Sequence, residues 1–234
     1  MSDSTPGAAG GGGASGATAT LKIERPTVSI LISGPSRTGK TSAANILAER
    51  YDVENIKTGE KIRELTGIDN SRFVARELTV DQQMDAYQAD KIRSATADEP
   101  FILEARLAAF LASKERADRW LPVVTILFWA PEGERMQRQL RKLRRDHPQT
   151  TTTLEELREG EREREARDME LWKAVHPELD GRNVFDPGLT NAAGRPVYDL
   201  VVDTRMGKPD DCADHVHAWL ARSGAIRTTG TVTD

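Results

Sequence analysis

The segment Gly34-Pro35-Ser36-Arg37-Thr38-Gly39-Lys40-Thr41, entered directly from Val28-Ser29-Ile30-Leu31-Ile32, limits what this chain can fold into more than any other. A short apolar run that breaks into a glycine-flanked turn reads as a strand buried on both faces, followed by a tight loop. Lys40 then opens a helix that runs to about Arg50 with Ala43, Ala44, Ile46 and Leu47 along it. The glycines let backbone N–H groups turn inward, and the helix start adds a positive dipole, so the loop is built to surround a phosphate. Gly34, Pro35, Ser36, Arg37, Thr38 and Gly39 are therefore candidate phosphate-binding residues. Lys40 reaches the β- and γ-phosphates of a nucleotide, and Thr41 offers its hydroxyl to a metal. ATP and Mg2+ are the cofactors this pattern implies.

Four more strands follow at intervals that helices fill. Val53–Ile56 is a short second strand, Phe101-Ile102-Leu103 a third, Val123–Phe128 a fourth and Tyr198–Val202 the last. Thr58 reads as the N-cap of a helix over Gly59–Leu65. Residues 69–97 are helical and polar, and Leu107, Phe110 and Leu111 mark a helix behind the third strand. Charged helices are expected over Glu132–Arg145 and Leu154–Ala174, and a closing helix over Asp210–Ala221. Strands apolar on both faces that alternate with helices predict an α/β fold with a parallel sheet flanked by helices. Ligands of such sheets bind at the carboxyl ends of the strands.

Three stretches near those ends bear on a second substrate. Lys57-Thr58-Gly59-Glu60-Lys61-Ile62-Arg63 has a hydroxyl, a glycine and an arginine one turn on; it fits a phosphate-monoester site or an ordinary capped surface helix. Glu104-Ala105-Arg106 ends the third strand with a carboxylate for a magnesium-bound water and a guanidinium for a phosphate, or with a plain salt bridge. Glu161-Arg162-Glu163-Arg164-Glu165-Ala166-Arg167-Asp168 can close arginines over a transferring phosphoryl group, or form a solvated, salt-bridged helix. The basic helix before it leaves the same choice open, and Arg138 or Arg141 is placed to stack on adenine.

Composition narrows the classes. A net charge of −4 over 234 residues gives no reason to expect a nucleic-acid partner. The basic Arg135–Arg145 helix lacks the stacking aromatics that a single-stranded nucleic-acid site needs. The longest apolar run, Val123–Ala130, is strand-sized, so no membrane span is expected. A single cysteine, Cys212, rules out an internal disulfide and fits a reducing cytoplasm. Residues 1–25 are Gly/Ala-rich with neither a charged nor an apolar leader region, and read as a disordered tail. Residues 223–234 read as equally loose, which leaves 26–222 as the folded domain. A monomer is expected.

The order GPSRTGKT, KTGEKIREL, FILEARLAAFL, the arginine-rich helix and YDLVVDT resembles the nucleoside monophosphate kinases, and most of all the short, archaeal-type cytidylate kinases. The resemblance runs from about Val28 to Leu220. It implies a P-loop NTPase fold with a five-stranded parallel sheet, a small acceptor-binding insert at 59–96 and a helical lid at 145–172. By position it makes Arg63 and Arg106 ligands of the acceptor phosphate, beside the Thr58 hydroxyl already a candidate there, with Asp85 near the base. Glu104 would serve magnesium beside Thr41, and Arg162, Arg164 and Arg167 would be lid arginines acting with Lys40 and Arg106 in catalysis. The partner is then a small-molecule acceptor, a nucleoside monophosphate such as CMP or dCMP. Departures from the family pattern are Arg37 and Ala105, each where glycine is usual, Asp168 where an aromatic is expected, and a long 177–196 loop. They keep two alternatives in play: a kinase of another metabolite's hydroxyl or of a modified nucleotide, and a non-catalytic ATP-binding regulator.

Overall fold

The computed structural model describes residues 21–66, 78–117 and 119–232, with the side chains at 21–23, 63, 65, 66, 78 and 228–232 outside that description. In chain order the elements begin with β1 (Leu21–Pro26), β2 (Ser29–Ser33), α1 (Lys40–Tyr51), β3 (Asn55–Lys57), α2 (Thr58–Thr66) and α3 (Leu78–Arg93). Then come β4 (Ile102–Glu104), α4 (Ala108–Glu115), β5 (Val123–Trp129), α5 (Glu132–Asp146) and α6 (Leu154–Val175). The chain closes with β6 (Leu200–Asp203), α7 (Pro209–Arg222) and β7 (Ile226–Val232). All five expected strands form one parallel sheet in the order β3-β4-β2-β5-β6.

The sheet is buried on both sides because its strands are apolar at successive positions. Leu31, Leu103 and Leu127 face a core with α4, Trp172 and the 177–196 loop. Ile30, Ile32, Ile102, Ile126, Phe128 and Val202 face the opposite core, against α1 and α7. Period-two alternation thus feeds two hydrophobic layers from the same strands. β2, at the centre, is fully buried even at its two serines. Ser29 Oγ accepts the Phe101 N–H and Ser33 Oγ accepts the Ala109 N–H, so neither hydroxyl is left without a partner.

Strand order decides where function can sit. β3, β4 and β2 are neighbours, so the segments that leave their carboxyl ends (Thr58, Glu104 and the Gly34–Thr41 loop) lie side by side although they are scattered in sequence. The register pairs Lys57 with Glu104 and Glu104 with Ile32.

Two segments differ from the expectation of loose ends. Leu21–Pro26 and Ile226–Val232, read as parts of a tail and of a flexible C-terminus, pair antiparallel as a separate two-stranded ribbon. Leu21-Lys22-Ile23-Glu24 alternates apolar and polar residues, and the C-terminal partner is rich in threonine, which suits a pleated surface. The 177–196 loop is packed rather than open: Leu179, Val184, Phe185 and Leu189 are buried in the core. α6 starts where Thr153 and Glu156 form a capping box, each side chain bonded to the other's backbone N–H. Of the expected insert, 67–77 lies outside the described residues.

Candidate active site

The phosphate loop has the backbone its sequence requires. Gly34 has φ 145, and a Cβ there would lie 2.2 Å from the Phe128 carbonyl oxygen on β5, so only glycine lets the loop leave the sheet at this angle. Gly39, at φ 84, turns the chain into α1. Arg37 is also left-handed, with φ 64, a conformation that costs a non-glycine residue about 1–2 kcal/mol. Lys40 is buried and its Nζ donates to the Pro35 carbonyl at 2.8 Å, folding the side chain back over the loop. Burial pushes its pKa from 10.5 down to about 8, with the Glu104 carboxylate acting in the opposite direction. Phosphate oxygens would supply the charge that this pocket lacks.

Thr41 Oγ1 donates to Glu104 Oε1 at 2.7 Å, which joins the start of α1 to the end of β4. Among the described residues there is no group of three or more His, Cys, Asp and Glu side chains that could hold a metal alone. A hydroxyl and one carboxylate are the donors that suit Mg2+, which keeps water and takes its other ligands from substrate phosphates. Thr41 and Glu104 fit that ion.

A cavity of about 850 Å3 opens at this end of the sheet and brings the expected donor and acceptor sides together. Ser36, Arg37, Lys40 and Thr41 line one part, and Thr58, Gly59, Asp81, Asp85 and Gln88 another, with Glu104 and Arg106 between. Arg164 and Arg167 of α6 line it as well.

Several expected residues stand differently from the sequence reading. Thr58 is the first residue of α2 rather than its N-cap, and its hydroxyl donates to the Glu104 carbonyl at 2.9 Å because β3 and β4 end together. The Arg63 side chain lies outside the described residues. Arg162 turns to Glu132 at 3.4 Å and Glu159 at 3.9 Å and does not line the cavity. On α6 the cavity is lined by 164, 166, 167, 168, 170, 171 and 172, all of them C-terminal to Arg162. Arg138 and Arg141 do not line it either: Arg138 donates to Thr204 Oγ1 at 2.9 Å and to the Thr204 carbonyl at 2.7 Å, and exposed Arg141 meets Glu134 at 3.4 Å. Ala105 sits in the core without disrupting β4, its N–H on the Ile32 carbonyl at 3.1 Å.

Arg106 is held on three sides. It is ion-paired to Asp168 of α6, and its guanidinium lies 5.0 Å from the ring centres of both Trp172 and Phe185. The 177–196 loop thus supports Arg106 from behind through Phe185, a role nothing in its composition announces. Asp85 meets His176 Nε2 at 2.9 Å through Oδ2, while Lys114 Nζ lies 3.4 Å from His176 Nδ1. Gln88 Nε2 bonds the Met84 carbonyl, and its buried Oε1 has no partner among the described residues. Arg135, almost wholly buried, reaches Glu161 at 3.1 Å and Glu165 at 3.2 Å, and bonds the Ser36 carbonyl at 3.4 Å. It ties α5, α6 and the phosphate loop together, and burial raises the Glu165 pKa.

Known proteins share the family and the fold. The AAA domain family matches residues 33–158. A cytidylate kinase from Methanothermobacter thermautotrophicus is 30% identical over 181 residues, covering 75% of this chain and 94% of that protein. A cytidylate kinase from Methanopyrus kandleri is 30% identical over 194 residues, covering 79% of this chain and 89% of that one. In fold, a gluconokinase from Sinorhizobium meliloti superposes with a TM-score of 0.50 at 16% identity, covering 85% of this chain and 94% of its own. The chain belongs to the AAA domain family and, within the P-loop kinases, to the family of the archaeal cytidylate kinases.

Proposed function

We propose that this protein is a nucleoside monophosphate kinase that moves the γ-phosphoryl group of ATP to the phosphate of CMP or dCMP. The observation that carries the reading is the single cavity lined by both the phosphate loop and the α2–α3 side of the molecule, with arginines 106, 164 and 167 along it. A phosphate acceptor is already anionic and needs no general base, so positioning and electrostatics suffice. Glu104, a carboxylate that a hydroxyl acceptor would recruit, is engaged with Thr41. Likeness to cytidylate kinases over most of the chain favours a cytosine nucleotide over other monophosphates.

In this reading Lys40 holds the β- and γ-phosphates and Arg106, with Arg63, holds the acceptor phosphate. Mg2+, held through Thr41 and Glu104, would neutralise charge on the donor phosphates. α6 acts as the lid, and Arg164 and Arg167 bring positive charge to the transferring group while the helix excludes water. Asp81, Asp85 and Gln88, at helical spacing on α3, offer carboxylate and amide groups to the acceptor base.

The test is ADP release from Mg·ATP with CMP, dCMP, UMP, AMP and GMP in turn, with Lys40→Ala as the blank. Stimulation by CMP and dCMP above the other three supports the proposal. Rates at the blank for all five would sink it.

A further inference from the structure

We infer that Arg37 is a catalytic residue, a guanidinium carried by the phosphate loop itself that binds the transferring phosphoryl group. Three observations converge on it. Arg37 is exposed and lines the cavity beside Ser36 and Lys40. Its backbone is left-handed at φ 64, and its side chain makes no hydrogen bond, ion pair or ring contact among the described residues. The other arginines lining the cavity, 106, 164 and 167, all have partners.

Nothing in the fold asks for a side chain here. Gly39, two residues on, shows that the loop accepts glycine in a left-handed conformation with open space around it. A strained residue with no packing role, whose charge is uncompensated and directed to a substrate cavity, is held for what it does to the ligand. In the transfer, an acceptor oxygen forms a bond to the γ-phosphorus as the bond from that phosphorus to the bridging oxygen breaks, and its electron pair leaves with ADP. Charge spreads over the equatorial oxygens in between, where a guanidinium free of a counter-ion is most useful. Because Arg37 sits on the donor side, its action rests on the kinase reading and not on which acceptor is used.

The experiment compares the full-length protein with Arg37→Gly and Arg37→Lys in thermal melting, in Mg·ATP binding by calorimetry and in ADP release with and without acceptor. Arg37→Gly is expected to leave Tm unchanged or higher, because glycine removes the strain, and to bind Mg·ATP within about threefold of the parent. Its kcat should fall about 100-fold, the scale for loss of one donor to a developing charge. Free guanidinium should restore part of the rate to Arg37→Gly but not to Arg37→Lys. An Arg37→Gly protein with kcat within about threefold of the parent, or with its whole loss in KM for ATP, would overturn the inference. If the parent ignores all five monophosphates, the acceptor proposal fails by itself. Hydrolysis of Mg·ATP without acceptor then carries the same comparison, and equal hydrolysis by parent and Arg37→Gly counts against Arg37.

Discussion

Arg106 and Asp168 form an ion pair that joins the end of β4 to α6, with the guanidinium 5.0 Å from the ring centres of both Trp172 and Phe185. If Arg106 holds the acceptor phosphate, Asp168 is an internal anion on the ligand's own counter-charge. Removing that negative charge should favour the ligand and disfavour the ligand-free fold. Asp168→Asn is expected to lower the acceptor KM about tenfold, equivalent to about 1.4 kcal/mol, and to lower Tm by a few degrees. Adding acceptor should recover the lost Tm. A variant that loses stability while its acceptor KM stays put would make Asp168 a structural partner only.

Asp85 is fixed by His176, which caps the far end of α6, so acceptor binding and the position of α6 share one contact. Lys114 near Nδ1 favours the tautomer in which Nε2–H donates to the carboxylate. His176→Leu should raise the acceptor KM about tenfold with little change in kcat, and Asp85→Asn should add little on top of it. His176→Gln keeps an N–H donor and should recover part of the affinity. Steady-state kinetics of the parent, the two single variants, the double variant and His176→Gln decide it: fully additive losses would mean that His176 does not act through Asp85.

Glu104 and Thr41 meet at 2.7 Å on the donor side. Glu104→Gln keeps the size and a hydrogen-bond acceptor but loses the charge. It should shift the Mg2+ concentration for half-maximal rate upward about tenfold and lower kcat at saturation by about 10- to 100-fold. ATP binding without metal should stay within a few fold. Unchanged metal dependence in a Mg2+ titration would remove Glu104 from the ion's surroundings.

Much of this was legible in the sequence because it is local. The β2 run, the glycines and Lys40 are contiguous, and each strand of the sheet carries its own apolar pattern. The arginine-rich helix was legible only in part: its pattern points to Arg164 and Arg167, which line the cavity, and equally to Arg162, which does not. Of Asp81, Asp85 and Gln88 on α3, only Asp85 is reached from the sequence, through the resemblance. His176 and Phe185 could not be found this way. Each acts on a residue far off in the chain, Asp85 and Arg106; His176 is placed by the end of α6, and Phe185 by the 177–196 segment, whose composition is loop-like. The ribbon of β1 and β7 is equally hidden, because each half is marginal until paired with a segment at the other end.

Lys40 gives a prediction with a definite sign. Burial lowers its pKa from 10.5 to about 8, so between those values the unfolded chain binds more protons than the folded one. Stability of the ligand-free protein from this residue therefore rises with pH across that window, as the buried charge is relieved. Lys40→Met should raise Tm near neutral pH, with the gain shrinking as pH climbs towards 10.5. Phosphate oxygens reverse the preference by favouring the ammonium, so ATP binding at about pH 9 should take up about one proton, against about 0.1 at pH 7. Calorimetry in two buffers of unlike ionisation enthalpy measures the uptake, and Lys40→Met should abolish it. Equal binding enthalpies in the two buffers at the higher pH would mean that Lys40 stays charged in the free loop, and that its contact with the Pro35 carbonyl compensates for burial.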